Sequence, residues 1–175
     1  QSRGLGDVYK RQVYNSSGYE KAKTLKMLDG LVDIYLPDFK YMDAVLAKKY
    51  SHAQDYPEIA KEALSEMVRQ VGKAEFDSRG MMKKGVIVRQ LLLPGHVKDA
   101  KNVLKYLYET YGDRIYISMM NQYTPMPAMK DDPQLSRKVT DREYERLIDY
   151  AISLGLKNGF MQEGETAKEL SLIHI

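Results

Sequence analysis

The sequence predicts an α/β fold built from parallel βα units, and three observations carry that prediction. Apolar runs of strand length alternate with amphipathic stretches of helix length. Helix-starting and helix-stopping residues sit at the joins between them. The run VIVRQLLL, Val86 to Leu93, is so continuously apolar that it reads as a strand buried on both faces. Strand and helix in alternation imply a parallel sheet, and right-handed crossovers put every strand-to-helix loop at one end of it. About half the strands of a closed barrel are visible, so the sheet is open or incomplete.

The elements follow in order. Val13–Tyr14 ends a first strand, turned by Asn15-Ser16-Ser17-Gly18. Glu20 to Leu28 has helical spacing, with Ala22, Leu25 and Leu28 on one face and Gly30 as the stop. Leu31 to Leu36 reads as the second strand, and Asp43 as the N-cap of a helix through Tyr50. Pro57 fits the first turn of a long helix to Val71, whose Ile59, Ala60, Ala63, Leu64, Met67 and Val71 form one stripe. Gly72 ends it. Lys73 to Gly85 has hairpin chemistry around Asp77-Ser78-Arg79-Gly80 and feeds the third strand, Val86 to Leu93. After the Pro94-Gly95 turn, Val97 to Tyr111 is a helix with Val103, Leu104, Leu107 and Tyr108 inward. Arg114 to Met120 is a strand, followed by a proline-bearing loop from Asn121 to Lys138. Thr140 caps the last helix, with Glu143 at the capping-box position and Gly155 at its end. Lys157 to Gln162 is the last strand.

Composition narrows the function classes. The 175 residues suit one domain or a large part of one, and 43% hydrophobic with 29% charged content is that of a globular protein. A net charge of +3 with scattered basic residues offers no nucleic-acid stripe, so no nucleic-acid partner is expected. No apolar run reaches spanning length and no signal-peptide pattern is present, so no membrane is expected and a cytoplasmic location is. The absence of cysteine excludes disulfides, thiolate nucleophiles and iron–sulfur ligation by this chain, and His52, His96 and His174 lack metal-ligand spacing. Residues 1–12 and 171–175 read as non-native, translated sequencing-adaptor tails, with genuine flexible termini as the alternative; residues 13–170 form the domain.

Ligands in βα architectures bind at the C-terminal strand ends, and polar residues gather there. The first strand ends in Asn15 and Ser16, the second in Asp38-Phe39-Lys40, and the fourth in Asn121-Gln122-Tyr123. Arg89 lies within the third, where a guanidinium among leucines needs a partner. Each has a plainer reading: a turn at Ser16, an Asx turn at Asp38, a solvated Lys40, a core ion pair at Arg89. His96 reads as a surface loop residue, Asp131-Asp132 as a solvated charge pair, and Met119-Met120 as core filling.

In this order, the strings VYNSSGYE, VDIYLPDFKYMD, LAKKYSHAQDYPEIAKEAL, EMVRQVG, GVIVRQLLLPGH and ISMMNQYTPM resemble the later part of radical S-adenosylmethionine proteins related to pyruvate formate-lyase activating enzyme. The resemblance runs from about Val13 to Glu169. It implies the back half of a partial (βα) TIM-like barrel with parallel strands and outer helices. It also implies an enzyme that reductively cleaves S-adenosylmethionine at a 4Fe–4S cluster, giving methionine and a 5′-deoxyadenosyl radical. That radical abstracts hydrogen from a glycyl-radical-type protein partner or a small-molecule substrate.

Residue by residue, Asp38 and Lys40 match the family's Asp-x-Lys strand end near the methionine moiety, and Arg89 matches an arginine facing the same cavity. Asn15 and Ser16 align with a strand end that helps hold the cofactor carboxylate and a nearby cation. Gln122 and Tyr123 fall near a position where relatives place a cofactor-proximal histidine, and Gln90 stands where they usually have histidine. The family's CxxxCxxC loop and its Gly-rich cofactor loop are absent here, so the resemblance implies a C-terminal fragment, inactive alone, whose cluster ligands lie upstream of Val13. A Schiff-base lyase using Lys40 and a non-catalytic α/β binding module are the alternatives.

Overall fold

Parallel pairing in chain order organises the sheet. The computed structural model describes residues 10–162 and 171–172. Its elements are β1 (Val13–Ser16), α1 (Ala22–Lys26), β2 (Ile34–Pro37), α2 (Ala44–Ser51), α3 (Tyr56–Val71), β3 (Glu75–Phe76), β4 (Met82–Leu91), α4 (Val97–Tyr111), β5 (Tyr116–Met120), α5 (Asp141–Leu154), β6 (Gly159–Gln162) and β7 (Ser171–Leu172). The order β1-β2-β4-β5-β6 is parallel at every pair. Two short antiparallel additions complete it: β3 folds back on the start of β4, and β7 pairs with β6. A parallel sheet wound in one direction is compatible with a stretch of barrel wall.

Burial shows which face the helices cover. On β4, Val86, Val88 and Gln90 are buried, while the alternate Ile87, Arg89 and Leu91 are half-buried. Tyr35, Ile117 and Met119 share the buried face and join one core with Ala60, Ala63, Leu64 and Met67 of α3, Val103, Leu104 and Leu107 of α4, and Leu147 and Ala151 of α5. The third strand is therefore not buried on both faces, as its apolar run predicts. Branched residues fill its open face too, so the period-2 signal is lost from the sequence. Truncating the fully buried Met67 to alanine is worth about 2–5 kcal/mol.

Local chemistry sets the helix ends. The Asp43 carboxylate accepts the Val45 N–H at 2.8 Å, starting α2 where its composition predicts. At α5, Thr140 Oγ1 accepts the Glu143 N–H at 3.2 Å while Glu143 accepts the Thr140 N–H at 2.8 Å, closing the capping box. The first helix falls short of its expected span, Glu20 to Leu28. Lys21 caps it without a side-chain bond, only Leu25 is buried, and α1 gives way to turns after Lys26. Among the described residues, no helix is long and apolar enough to cross a membrane.

Candidate functional site

The open face of the sheet carries the Asp38 and Lys40 side chains together, because residues two apart in an extended strand point the same way. Asp38 continues past β2 into an isolated parallel bridge with Arg89, and the Phe39 N–H donates to the Arg89 carbonyl at 2.9 Å. This register brings Arg89 Nε to Asp38 Oδ1 at 2.8 Å. The partner that a guanidinium between Val88 and the leucines requires is thus Asp38. Each side chain of the pair is about one-third exposed, at 31% and 30%. Asp38 Oδ2 and the terminal Arg89 nitrogens have no further partner among the described residues.

These groups form the floor of a cavity of about 390 Å³, within the range of small-molecule sites. Its charged lining residues are Asp38, Arg89 and Lys40, two cations against one carboxylate. Leu91, Leu93, Met120, Met126, Met129 and Leu135 give it apolar walls, and Tyr41, Tyr50, Ser51 and Tyr123 add hydroxyls. A net positive floor under apolar walls favours a ligand with an anionic or zwitterionic head and a larger, less polar body.

The outer wall comes from the loop after β5, and that loop is pinned. Asp132 Oδ1 accepts the N–H groups of Gln134 and Leu135, both at 2.8 Å. Lys49 Nζ lies 3.2 Å from Oδ2, and Tyr50 donates to Oδ2 at 3.4 Å. The backbone donors, Leu135 first, and Lys49 hold this carboxyl at about 2. Tyr50 also lies 2.8 Å from His96 Nε2, and burial pushes that imidazole below its ordinary value. Tyr123 donates to the Leu135 carbonyl at 2.8 Å, closing the loop upon itself.

The structure divides the residues singled out from the sequence. Asp38, Lys40, Arg89 and Tyr123 share the cavity; Asn15, Ser16 and Gln122 lie outside its lining. Adjacent strand residues face opposite sides, so Asn15 and Ser16 cannot both reach it. Asn15 pairs with Leu36 on the open face at the exposed sheet edge. Ser16 is buried on the helix side, where its Oγ accepts the Gly18 N–H at 2.9 Å. Gln122 is half-buried. Gln90, also on the helix side, is buried with its Oε1 unpartnered.

Three plain sequence readings need correction. Asp132 is not a solvated charge: its side chain is 10% exposed and organises the loop. His96 is half-buried against Tyr50 rather than a free surface residue. Met120 lines the cavity, while Met119 is core. Asp132-Pro133-Gln134 has Asx-turn chemistry that could have flagged the first of these. Nothing local marks Met126, Met129 or Tyr50 as cavity residues, because the fold places them there.

No family model matches this chain. An uncharacterised protein of Methanocaldococcus jannaschii is 25% identical over 139 residues, covering 79% of this chain. The match takes in 37% of that protein, so the chain spans little more than a third of the relative's length.

Proposed function

We propose that this chain is the cofactor-binding back half of a radical S-adenosylmethionine enzyme akin to pyruvate formate-lyase activating enzyme. One observation carries the reading: Asp38, Lys40 and Arg89, which match that family's motif, line a single cavity at the strand ends. Their chemistry fits the cofactor. Lys40 and the free guanidinium edge of Arg89 would hold its carboxylate. Asp38 Oδ2 would accept from its ammonium or a ribose hydroxyl. Each charge-assisted bond contributes about 1.5–3 kcal/mol when made. The methionine and leucine walls would exclude water from the bound cofactor.

The iron–sulfur cluster does not fit this chain. The sequence has no cysteine, and the described residues contain no group of three His, Cys, Asp or Glu side chains placed to hold a metal. Its ligands are assigned, in this proposal, to a segment upstream of Val13. With a cluster held by that segment and a reductant to supply the electron, S-adenosylmethionine bound by Lys40, Arg89 and Asp38 would supply radical chemistry for hydrogen abstraction from a glycyl-radical-type protein or a small molecule. This chain's residues bind and orient the cofactor and keep its surroundings dry; alone, the chain is inactive.

The test is the open reading frame extended upstream of the Val13 codon. The proposal expects a three-cysteine loop there and, after reconstitution with iron and sulfide, reductant-dependent release of 5′-deoxyadenosine that Arg89→Leu diminishes. An uninterrupted frame without the cysteines, or a loaded protein that leaves S-adenosylmethionine intact, contradicts it.

A further inference from the structure

We infer that Tyr56 is the positioning residue of the Asp38–Lys40 strand end, an inference that rests on the cofactor reading for its functional consequence but not for its geometry. Tyr56 opens α3, on the opposite side of the strands from the cavity, and is 2% exposed. Its hydroxyl donates to the Ser17 carbonyl at 2.9 Å, with the Asp38 carbonyl as a second acceptor at 3.2 Å. It accepts the Lys40 N–H at 3.0 Å. One buried hydroxyl therefore ties the end of β1 to the backbone of Asp38 and Lys40, two of the three residues that present charge to the cavity. Burial, with the Asp38 charge adding to it, pushes this phenol well above its ordinary value, so it stays a neutral donor at any working pH.

The surroundings hold the hydroxyl in place. The Tyr56 ring meets Phe39 and Tyr41 edge-on, at centroid distances of 6.3 and 5.6 Å, and stacks on Tyr19 at 5.7 Å. Phe39 lies between Asp38 and Lys40 in sequence and points to the helix side, so its packing on Tyr56 sets the strand's rotation. Gly18 lets the first turn come this close: a Cβ there would lie 2.2 Å from the Asp38 carbonyl and 3.0 Å from the Tyr56 hydroxyl. Removing the hydroxyl leaves two carbonyls and one N–H to find other partners where the strand must hold its exit angle.

The experiment compares Tyr56→Phe with Tyr144→Phe, which deletes another buried hydroxyl, bonded to the Met119 carbonyl at 2.7 Å, from a residue that does not line the cavity. Nitrogen-edited NMR of the whole chain reads the Arg89 Nε–H, and amide exchange reads Lys40. The wild type is expected to show a slowed Lys40 amide despite the exposure of that residue, because Tyr56 accepts from it. Tyr56→Phe is expected to shift and speed exchange of the Arg89 Nε–H and to weaken S-adenosylmethionine binding about tenfold; Tyr144→Phe is expected to leave both unchanged. A fast Lys40 amide in the wild type overturns the inference even if Tyr56→Phe does not fold. So does an Arg89 signal that Tyr56→Phe leaves in place. If the NMR effects appear but wild type does not bind S-adenosylmethionine, the positioning role stands and the cofactor reading falls.

Discussion

Replacing Asp38 by asparagine keeps its shape and removes its charge, leaving Arg89 with a weaker acceptor. The pair is joined at 2.8 Å, and its side chains are 30% and 31% exposed. Fully exposed pairs contribute about 0–1 kcal/mol, and breaking fully buried ones costs about 3–5 kcal/mol. One-third exposure lies between these limits, so the interaction is worth roughly 1.5 kcal/mol. In a domain of this size that lowers Tm by about 3–6 °C. The clean assay is a double-mutant cycle of Asp38→Asn, Arg89→Met and their combination, followed by urea unfolding. A coupling energy near ~1.5 kcal/mol is expected. A coupling below ~0.5 kcal/mol would mean the strand register, and not the charge pair, holds the two residues together.

Other perturbations test the frame around the site. Gly18→Ala should destabilise by more than about 2 kcal/mol, because φ is +78° and the new Cβ would meet the Asp38 carbonyl; an unchanged melting curve contradicts the close approach. Thr140→Ala should cost about 1 kcal/mol by opening the capping box of α5, read as a lowered urea midpoint, and a neutral result would show the cap is redundant. Acid should weaken the cavity wall. Arg137 holds Glu143 at about 2, and Asp132 also sits at about 2, both below the ordinary carboxylate value of ~4. Folded pKa values depressed in this way contribute stability that is present above pH ~4 and lost as pH falls through ~2. Asp132→Asn should flatten that acid limb, and an unaltered slope would remove Asp132 from its cause.

Much of the fold can be read from the chain because its boundaries are local. Asp43, Thr140 with Glu143, Gly72 and Gly155 act within a turn of where they stand, and their helices begin and end accordingly. The Asp38–Lys40 pair is legible for a similar reason: spacing of two in a strand fixes a common face. What escaped depends on contacts between distant segments. The exposed face of β4 carries Ile87 and Leu91, so composition hides it. Asp132 looks solvated until Lys49 arrives from α2, and nothing in the sequence marks Tyr56, whose hydroxyl three backbone groups meet only in the fold. Asn15 and Ser16 share a strand end, yet the pleat sends one to the open edge and the other under the helices.

The most direct measurement is calorimetric titration of S-adenosylmethionine into the chain and into its Lys40→Ala and Arg89→Leu variants. Saturable one-to-one binding that weakens with added salt and drops about tenfold or more in each variant is the expected result. Heat that never saturates, or affinity indifferent to both substitutions, would show that this cavity serves some other ligand.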